Sequence, residues 1–309
     1  MDKIVRNKLI SMSEEKYREF SKKLIPGCEN ILGVRVPFIR KYAKELVKEN
    51  TDWQKLLEED DIYFEETMIR GFVIGIATAK EGDIKLAKKM LNKFVIYIDN
   101  WSVNDGFCKE FRIMDKHHDE FIKDIEKMIC SKKEYIARAG LILLLEHYVK
   151  IDMEGNKITR KKVVEKYDIE ELVSDNNVEK QEAFLHNAEG YINNGINCQE
   201  YCKDNEHQEH AHIESGKYTD KILELVNRNF SKNGYYTQMA AGWLIAELFV
   251  VYPGAVWRFL LDKENLKLDE VSYKKAIRKI CESKTPSNEL KEYIRKVCYK
   301  KDEKIQKSC

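Results

Sequence analysis

Long apolar runs are missing from this chain of 309 residues, and so is a secretory signal pattern at Met1-Asp2-Lys3. Because a helix that spans a bilayer needs about 20 apolar residues in succession, the sequence predicts no membrane partner. A disulfide framework is missing too, since the eight cysteines are scattered through helical patterns. Reduced thiols are typical of the cytoplasm, where we expect this protein.

Proline and alternating strand patterns are also scarce. The chain has four prolines, and each lies where a helix pattern begins or a loop turns: Pro26, Pro37, Pro253 and Pro286. No segment shows the sustained alternation of apolar and polar residues that is typical of strands. The sequence therefore predicts an all-α protein.

Helical periodicity covers almost all of the remaining chain. It predicts helices over residues 13–25, 36–49, 51–59, 62–79, 84–97, 101–113, 118–130, 134–150, 219–230, 235–252, 254–263, 269–282 and 287–300. Antiparallel helix pairs with short connections recur about every 35–45 residues, which favours an α-solenoid of HEAT-like pairs, an ARM/HEAT superhelix, over a bundle.

One polar insertion interrupts this pattern. We divide the chain into N-terminal repeats (1–151), an acidic insertion (152–217) and C-terminal repeats (218–309) of one continuous solenoid domain. Residues 151–217 carry 8 Lys/Arg against 15 Asp/Glu, a net of −7, so the total of +1 leaves +8 for the other residues. A mildly basic body is compatible with a polyanionic partner, but charge spread evenly over long helices is the alternative.

The insertion contains five side chains that a transition metal could use. Their spacing, C-x3-C-x4-H-x2-H-x-H, is not a standard zinc pattern, and a soluble His-rich loop is the favoured interpretation. The weak metal candidates are Cys198, Cys202, His207, His210 and His212. We therefore predict neither a metal nor an organic cofactor.

Trp101 and Asp105 follow the capping residues Asp99-Asn100, so a helix that begins at residue 101 places both on one face. An aromatic ring beside a carboxylate can hold a cationic group, through the negative face of the ring and the charge of the acid. The alternative is a tryptophan anchored in the core and a solvated acid in the first turn of the helix.

Two more polar or aromatic residues lie in apolar helices. Arg138 can pair with Glu134 one turn earlier, or can point into a groove to bind a phosphate or a carboxylate. Trp243 lies in a helix that is apolar nearly all round, where a core position is the alternative to a site. The small residues 240–242 would bring a neighbour close or leave a concavity beside the indole.

Five segments in this order form a recognisable set: Leu32-Gly33-Val34-Arg35-Val36-Pro37, Arg40-Lys41-Tyr42-Ala43-Lys44-Glu45-Leu46, Trp101-x3-Asp105, Arg138-Ala139, and Ala241-Gly242-Trp243-Leu244 leading to Tyr252-Pro253. Taken together, these segments resemble the HEAT-like-repeat DNA alkylation repair proteins, the AlkD-type DNA glycosylases. The resemblance covers roughly residues 10–150 and 218–300.

The resemblance implies an α-solenoid that binds duplex DNA as a monomer and excises cationic N3- and N7-alkylpurines without a cofactor. It implies that Trp101, Asp105 and Trp243 surround the deoxyribose of the damaged nucleotide as catalytic residues. The further residues that it places on the DNA-binding face, or that we take as phosphate contacts, are Arg138, Arg35, Arg40 and Lys41.

Two differences from the family bear on the enzyme prediction. Where active members carry a helix that enters the minor groove, residues 24–30 contain Pro26-Gly27 and favour a loop. Ala246 also stands where the family often has an arginine. Three hypotheses follow: an alkylpurine DNA glycosylase, a non-catalytic HEAT-like DNA-binding protein, and a helical scaffold that binds proteins or metal through the insertion.

Overall fold

A computed structural model describes residues 1–158, 215–286 and 288–299, and the fold of these residues is helical. They form no strand, only one isolated antiparallel bridge between Ile151 and Lys157. The α-helices are α1 (Lys3–Ser11), α2 (Glu15–Leu24), α3 (Val36–Glu49), α4 (Phe64–Glu81), α5 (Ile84–Phe94), α6 (Trp101–Glu110), α7 (His118–Ile129), α8 (Glu134–His147), α9 (Thr219–Val226), α10 (Tyr235–Val251), α11 (Pro253–Leu261), α12 (Glu270–Glu282) and α13 (Asn288–Tyr299). The all-α prediction is confirmed, whereas the HEAT-like solenoid and the domain division stay predictions.

Most predicted helices begin and end within a few residues of the observed ones, but α1 was missed. Its apolar signal is weak, because Val5 and Leu9 are the residues that it buries. The side chain of Asp2 caps this helix by accepting hydrogen bonds from the N–H groups of Ile4 and Val5. The helix predicted over 51–59 is instead a 3-10 helix, Trp53–Leu57.

The chain divides into two compact units. The first unit consists of Met1–Tyr148 and Lys232–Ala240, and the second consists of the described residues within Val149–Ser231 and Ala241–Cys309. No helix in the described parts of either unit is long and apolar enough to cross a membrane.

The core of the first unit is built around α4, which packs against α3, α5 and α6. Four phenylalanine rings form a ladder through this core: Phe94, Phe107, Phe111 and Phe121, with successive centroids 4.7, 5.3 and 5.8 Å apart. The ladder joins the buried faces of α5, α6 and α7. It fixes the side of α6 opposite to the one that carries the candidate site.

A buried carboxylate at the start of α4 holds the Leu32-Gly33-Val34 loop. The two oxygens of Glu65 accept hydrogen bonds from the backbone N–H groups of these three residues at 2.9, 2.7 and 3.1 Å. Gly33 has a φ of +89°, and a Cβ added there would lie 2.5 Å from the carbonyl oxygen of Glu14. The loop therefore needs both the acid and a glycine, which gives the segment before α3 a structural role.

Gly33→Ala should destabilise the protein more than Gly27→Ala does. Both glycines have a φ of +89°, but an added Cβ meets no atom within 4 Å at Gly27 and collides with backbone at Gly33. The left-handed conformation costs an alanine about 1–2 kcal/mol at either position, and the collision adds roughly 1–3 kcal/mol at Gly33. Chemical denaturation of the two variants measures the difference, and equal losses would contradict the role given to the loop.

The second unit is organised around the C-terminal part of α10 and the helices that follow it. Gly242 lies against α12, because a Cβ added there would lie 2.7 Å from the Cβ of Lys275. The small residues 240–242 thus bring a neighbour close, which is one of the two alternatives that the sequence left open. Asp269 caps α12 and also accepts a hydrogen bond from the N–H of Phe230 at 3.0 Å.

Candidate functional site

Helix α6 carries the two residues from which the candidate site is built. The side chain of Asn100 caps it by accepting a hydrogen bond from the N–H of Val103 at 2.9 Å, which confirms the predicted start at Trp101. Trp101 and Asp105 lie one turn apart, and both are half-buried. The side chain of Asn104, between them, donates to the carbonyl of Tyr135 at 2.8 Å and joins α6 to α8.

Asp105 forms a bidentate ion pair with Arg138. Nε of the arginine donates to Oδ1 at 2.9 Å, and Nη2 donates to Oδ2 at 2.7 Å. The arginine side chain is 6% exposed and the aspartate side chain 20% exposed. Two parallel charge-assisted hydrogen bonds fix the plane of the carboxylate, and the side chain of Asp105 stays partly exposed.

The third nitrogen of the guanidinium is also engaged within the protein. Nη1 of Arg138 donates to the carbonyl oxygen of Tyr236 at 2.6 Å. The sequence left open whether Arg138 pairs with Glu134 or points into a groove, and the carboxylate that it binds is that of Asp105. Glu134 instead accepts a hydrogen bond from the N–H of Tyr236 at 2.6 Å. The predicted contact of Arg138 with DNA stays a prediction.

Burial is the largest influence on the pKa values of two acidic groups of α6, Asp105 and Cys108. It raises the pKa of Asp105 above the ordinary value of 3.8, while the hydrogen bonds and the charge of Arg138 oppose this shift. Burial also raises the pKa of the Cys108 thiol well above its usual range, and the nearby Asp105 charge adds to the effect. The neutral thiol leaves Asp105 as the charged partner of Arg138.

Trp101 contacts the end of α2. Its indole Nε1 donates to the carbonyl oxygen of Leu24 at 3.2 Å. Leu24 is the last residue of α2, and residues 25–30 form a turn and a loop, as the Pro-Gly sequence predicts. The turn after α2 is therefore next to the ring that the sequence assigns to the site.

The other basic candidates of the first unit are paired to different degrees. Arg35 makes a bidentate pair with Glu14 on the surface, with both contacts at 2.9 Å. Arg40 donates to the buried Glu110 at 2.6 Å and lies over the ring of Phe72. The side chain of Lys41 is 77% exposed and only 3.9 Å from Glu45, a weak pair. Of the three, Lys41 is the most accessible to a polyanion, and DNA binding by all three stays a prediction.

Trp243 belongs to the second unit. It is half-buried, and its indole Nε1 donates to Oε1 of Glu247 at 3.2 Å, one turn later in α10. Trp243 is therefore not a fully buried core residue. That Trp243 surrounds the same nucleotide as Trp101 and Asp105 stays a prediction.

The metal candidates of the insertion and Ala246 differ in whether the structure describes them. Cys198, Cys202, His207, His210 and His212 lie outside the described residues. Within the described ranges, no group of three or more His, Cys, Asp or Glu side chains is placed to hold a metal ion. Ala246, where an arginine was expected from the family pattern, is buried in the second unit.

Sequence reasoning missed two contacts of the site because backbone carbonyls make them. The oxygens of Leu24 and Tyr236 accept from Trp101 and Arg138, and any residue type supplies such an oxygen. It also left open whether Glu134 pairs with Arg138, and in the structure Glu134 accepts from the N–H of Tyr236 instead. Gly234 is the residue that could have indicated this contact, since a glycine just before a helix often marks a tight turn. In the structure Gly234 has a φ of +98° and lies close to the Glu134 carboxylate.

Comparison with known proteins gives one match. A family model described as DNA alkylation repair enzyme matches residues 5–192. This range is more than half of the chain and contains Trp101, Asp105 and Arg138, whereas Trp243 follows it. No curated protein and no solved structure gives a significant match.

Proposed function

Because the chain belongs to the DNA alkylation repair enzyme family, we propose that it is a DNA glycosylase that removes cationic N3- and N7-alkylpurines from duplex DNA. The family itself indicates DNA alkylation repair with DNA as the partner. The observation that carries the finer proposal is the Asp105 carboxylate, which Arg138 holds in a fixed plane one helical turn from Trp101.

The proposed reaction is hydrolysis of the bond between C1′ of the deoxyribose and N9 of the purine. An alkylated purine already carries a positive charge, so it leaves with the bonding electrons as a neutral base and needs no general acid. A water molecule adds its oxygen to C1′ and gives up a proton, for which Asp105 is the acceptor. One carboxylate therefore suffices, where ordinary glycoside hydrolysis uses two.

Asp105 also opposes the positive charge that develops on the sugar. A fixed carboxylate stabilises an oxocarbenium-like transition state more than it stabilises the substrate. In this proposal, Trp101 and Trp243 contribute the negative faces of their rings to the same electron-poor sugar. Arg138 acts through Asp105, because its donors are directed to that carboxylate and to Tyr236. Lys41 and other exposed basic residues give salt-dependent affinity for the DNA backbone.

The experiment that tests this function is base release at enzyme excess. A duplex that carries 7-methylguanine or 3-methyladenine is incubated with the purified protein, and the free base and the abasic site are both quantified. We expect release that follows a single exponential and exceeds spontaneous depurination. Methylated DNA that stays intact while it is bound would contradict the proposal.

A non-catalytic DNA-binding protein is the second candidate. It is favoured by the hydrogen bond from Trp101 to the Leu24 carbonyl, because the turn after α2 lies against the ring that would contact the sugar. This candidate predicts salt-sensitive DNA binding, with a log–log slope set by the number of neutralised phosphates, and no base release. The base-release experiment therefore separates the two candidates, and undetectable binding at low salt would remove the second.

The excision rate should fall at acid pH, and the fall should begin above the range in which a free aspartate titrates. The reaction needs the ionised carboxylate, and burial raises the pKa of Asp105 above 3.8. Because a higher pKa leaves a larger protonated fraction at a given pH, the acid limb moves upward. Single-turnover rates across the acid range, corrected for spontaneous depurination, measure this limb. A rate that stays constant down to the ordinary aspartate range would contradict the role of Asp105.

A further inference from the structure

Three tyrosine rings of the first unit lie against one another, and together they are called the tyrosine stack below. Tyr135 comes from the start of α8, and Tyr235 and Tyr236 come from the start of α10. The rings of Tyr135 and Tyr236 have centroids 5.7 Å apart and planes tilted by 31°. Tyr235 meets Tyr236 edge to face at 5.4 Å. Tyr235 is 55% exposed, so the stack presents aromatic surface to solvent.

The backbone beneath the tyrosine stack is fixed from several sides. The N–H of Tyr236 donates to the Glu134 carboxylate at 2.6 Å, and the carbonyl of Tyr236 accepts from Arg138 at 2.6 Å. The hydroxyl of Thr237 donates to the backbone carbonyl of Glu134 at 2.8 Å. A surface held in this way loses little conformational freedom when a ligand binds, so a contact made there contributes more of its energy to affinity.

The charges near the stack indicate what kind of ligand it fits. The two segments that carry the tyrosines also carry three exposed lysines, Lys132, Lys133 and Lys232. Arg138, which binds the Tyr236 carbonyl, binds Asp105 as well and so connects the stack to the candidate catalytic carboxylate. Aromatic faces beside cationic side chains are the combination with which proteins bind unpaired nucleotides: bases stack on the rings and phosphates pair with the cations.

We infer that the tyrosine stack is a binding subsite for an unpaired nucleobase of DNA. Tyr235 supplies the exposed ring face, Tyr236 meets it edge to face and itself packs on Tyr135, and the lysines bind the adjoining phosphates. Every base has a π face, so the subsite tolerates any sequence. The location of that base next to a damaged nucleotide rests on the proposed function, because Asp105 would contact that nucleotide.

The test compares two labelled duplexes of one sequence, of which one is fully paired and the other carries one unpaired adenine. Fluorescence anisotropy at one salt concentration gives the ratio of the two dissociation constants. For the wild-type protein we expect the unpaired base to tighten binding by roughly 5- to 150-fold. Tyr235→Ala should bring the ratio close to one, whereas Tyr235→Phe should keep it, since stacking needs the ring and not the hydroxyl.

Tyr97→Ala is the matched control, because Tyr97 is a tyrosine of the same unit with 59% exposure outside the stack. It should keep the wild-type ratio even if its loss weakens both duplexes alike. A wild-type ratio of one, or a Tyr235→Ala variant that folds normally and keeps the preference, would overturn the inference. Base release from paired methylated DNA is measured with the same proteins. If the protein releases the methylated base but does not prefer the duplex with the unpaired adenine, the proposed function stands and the subsite is overturned. If it prefers that duplex but releases no base, the subsite stands and the proposed function is overturned.

Discussion

Asp105→Asn should lower the rate of 7-methylguanine release by about 10²–10³-fold. Asparagine keeps the shape of the side chain but removes the negative charge that opposes the developing charge of the sugar and accepts the proton of water. The substitution also leaves the buried guanidinium of Arg138 without its anion and so lowers stability, and circular dichroism therefore first shows that the variant is folded under the assay conditions. Single-turnover release at enzyme excess measures the chemical step, and anisotropy on the same duplex measures binding, which should change little.

Asp99→Asn is the control for this prediction. It makes the same chemical change six residues earlier, at an exposed acid that precedes α6. Its release rate should stay close to that of the wild type. If Asp105→Asn releases base as fast as Asp99→Asn does, Asp105 is not the catalytic carboxylate.

Arg138→Ala should lower the free energy of unfolding by about 3 kcal/mol. It leaves the mostly buried Asp105 carboxylate without its cation and the Tyr236 carbonyl without a donor. The pKa of Asp105 should rise further, because Arg138 is the group that lowers it. A protonated carboxyl needs no cation, so the loss should be greatest above the raised pKa and should shrink as the pH falls toward the unfolded value.

Arg35→Ala is the matched control for stability. Arg35 also makes a bidentate pair with a carboxylate, that of Glu14, but both side chains are on the surface, where solvent screens the interaction. Chemical denaturation at neutral and acid pH should show a small, nearly constant loss for Arg35→Ala. An equally small loss for Arg138→Ala would show that the Asp105 pair contributes nothing particular to the fold.

Local patterns predicted the helices well because each long amphipathic helix contains its own signal. The capping residue Asn100 fixed the start of α6, and with it the common face of Trp101 and Asp105. The same reasoning missed α1, since a short helix that buries Val5 and Leu9 gives little periodicity. It also interpreted the Leu32-Gly33-Val34 segment as a family signature, whereas the structure shows that the carboxylate of Glu65, from α4, holds this segment.

The sequence alone could not predict contacts between segments that are distant in the chain. Tyr236 is 98 residues after Arg138, and its contribution is a backbone oxygen, which no residue pattern reveals. The sequence left open whether Arg138 pairs with Glu134 or points into a groove, and only the packing of α8 on α6 selects the carboxylate of Asp105. The sequence did not predict the tyrosine stack either, because its rings come from two helices that are distant in the chain.

The most direct test of the account is the structure of Asp105→Asn bound to a duplex that carries 7-methylguanine. The account predicts that the deoxyribose of the modified nucleotide lies between Trp101 and Trp243, with C1′ about 3–4 Å from the side chain at position 105. A complex in which the modified nucleotide lies far from that side chain, or in which the two indoles contact different regions of the DNA, would contradict it.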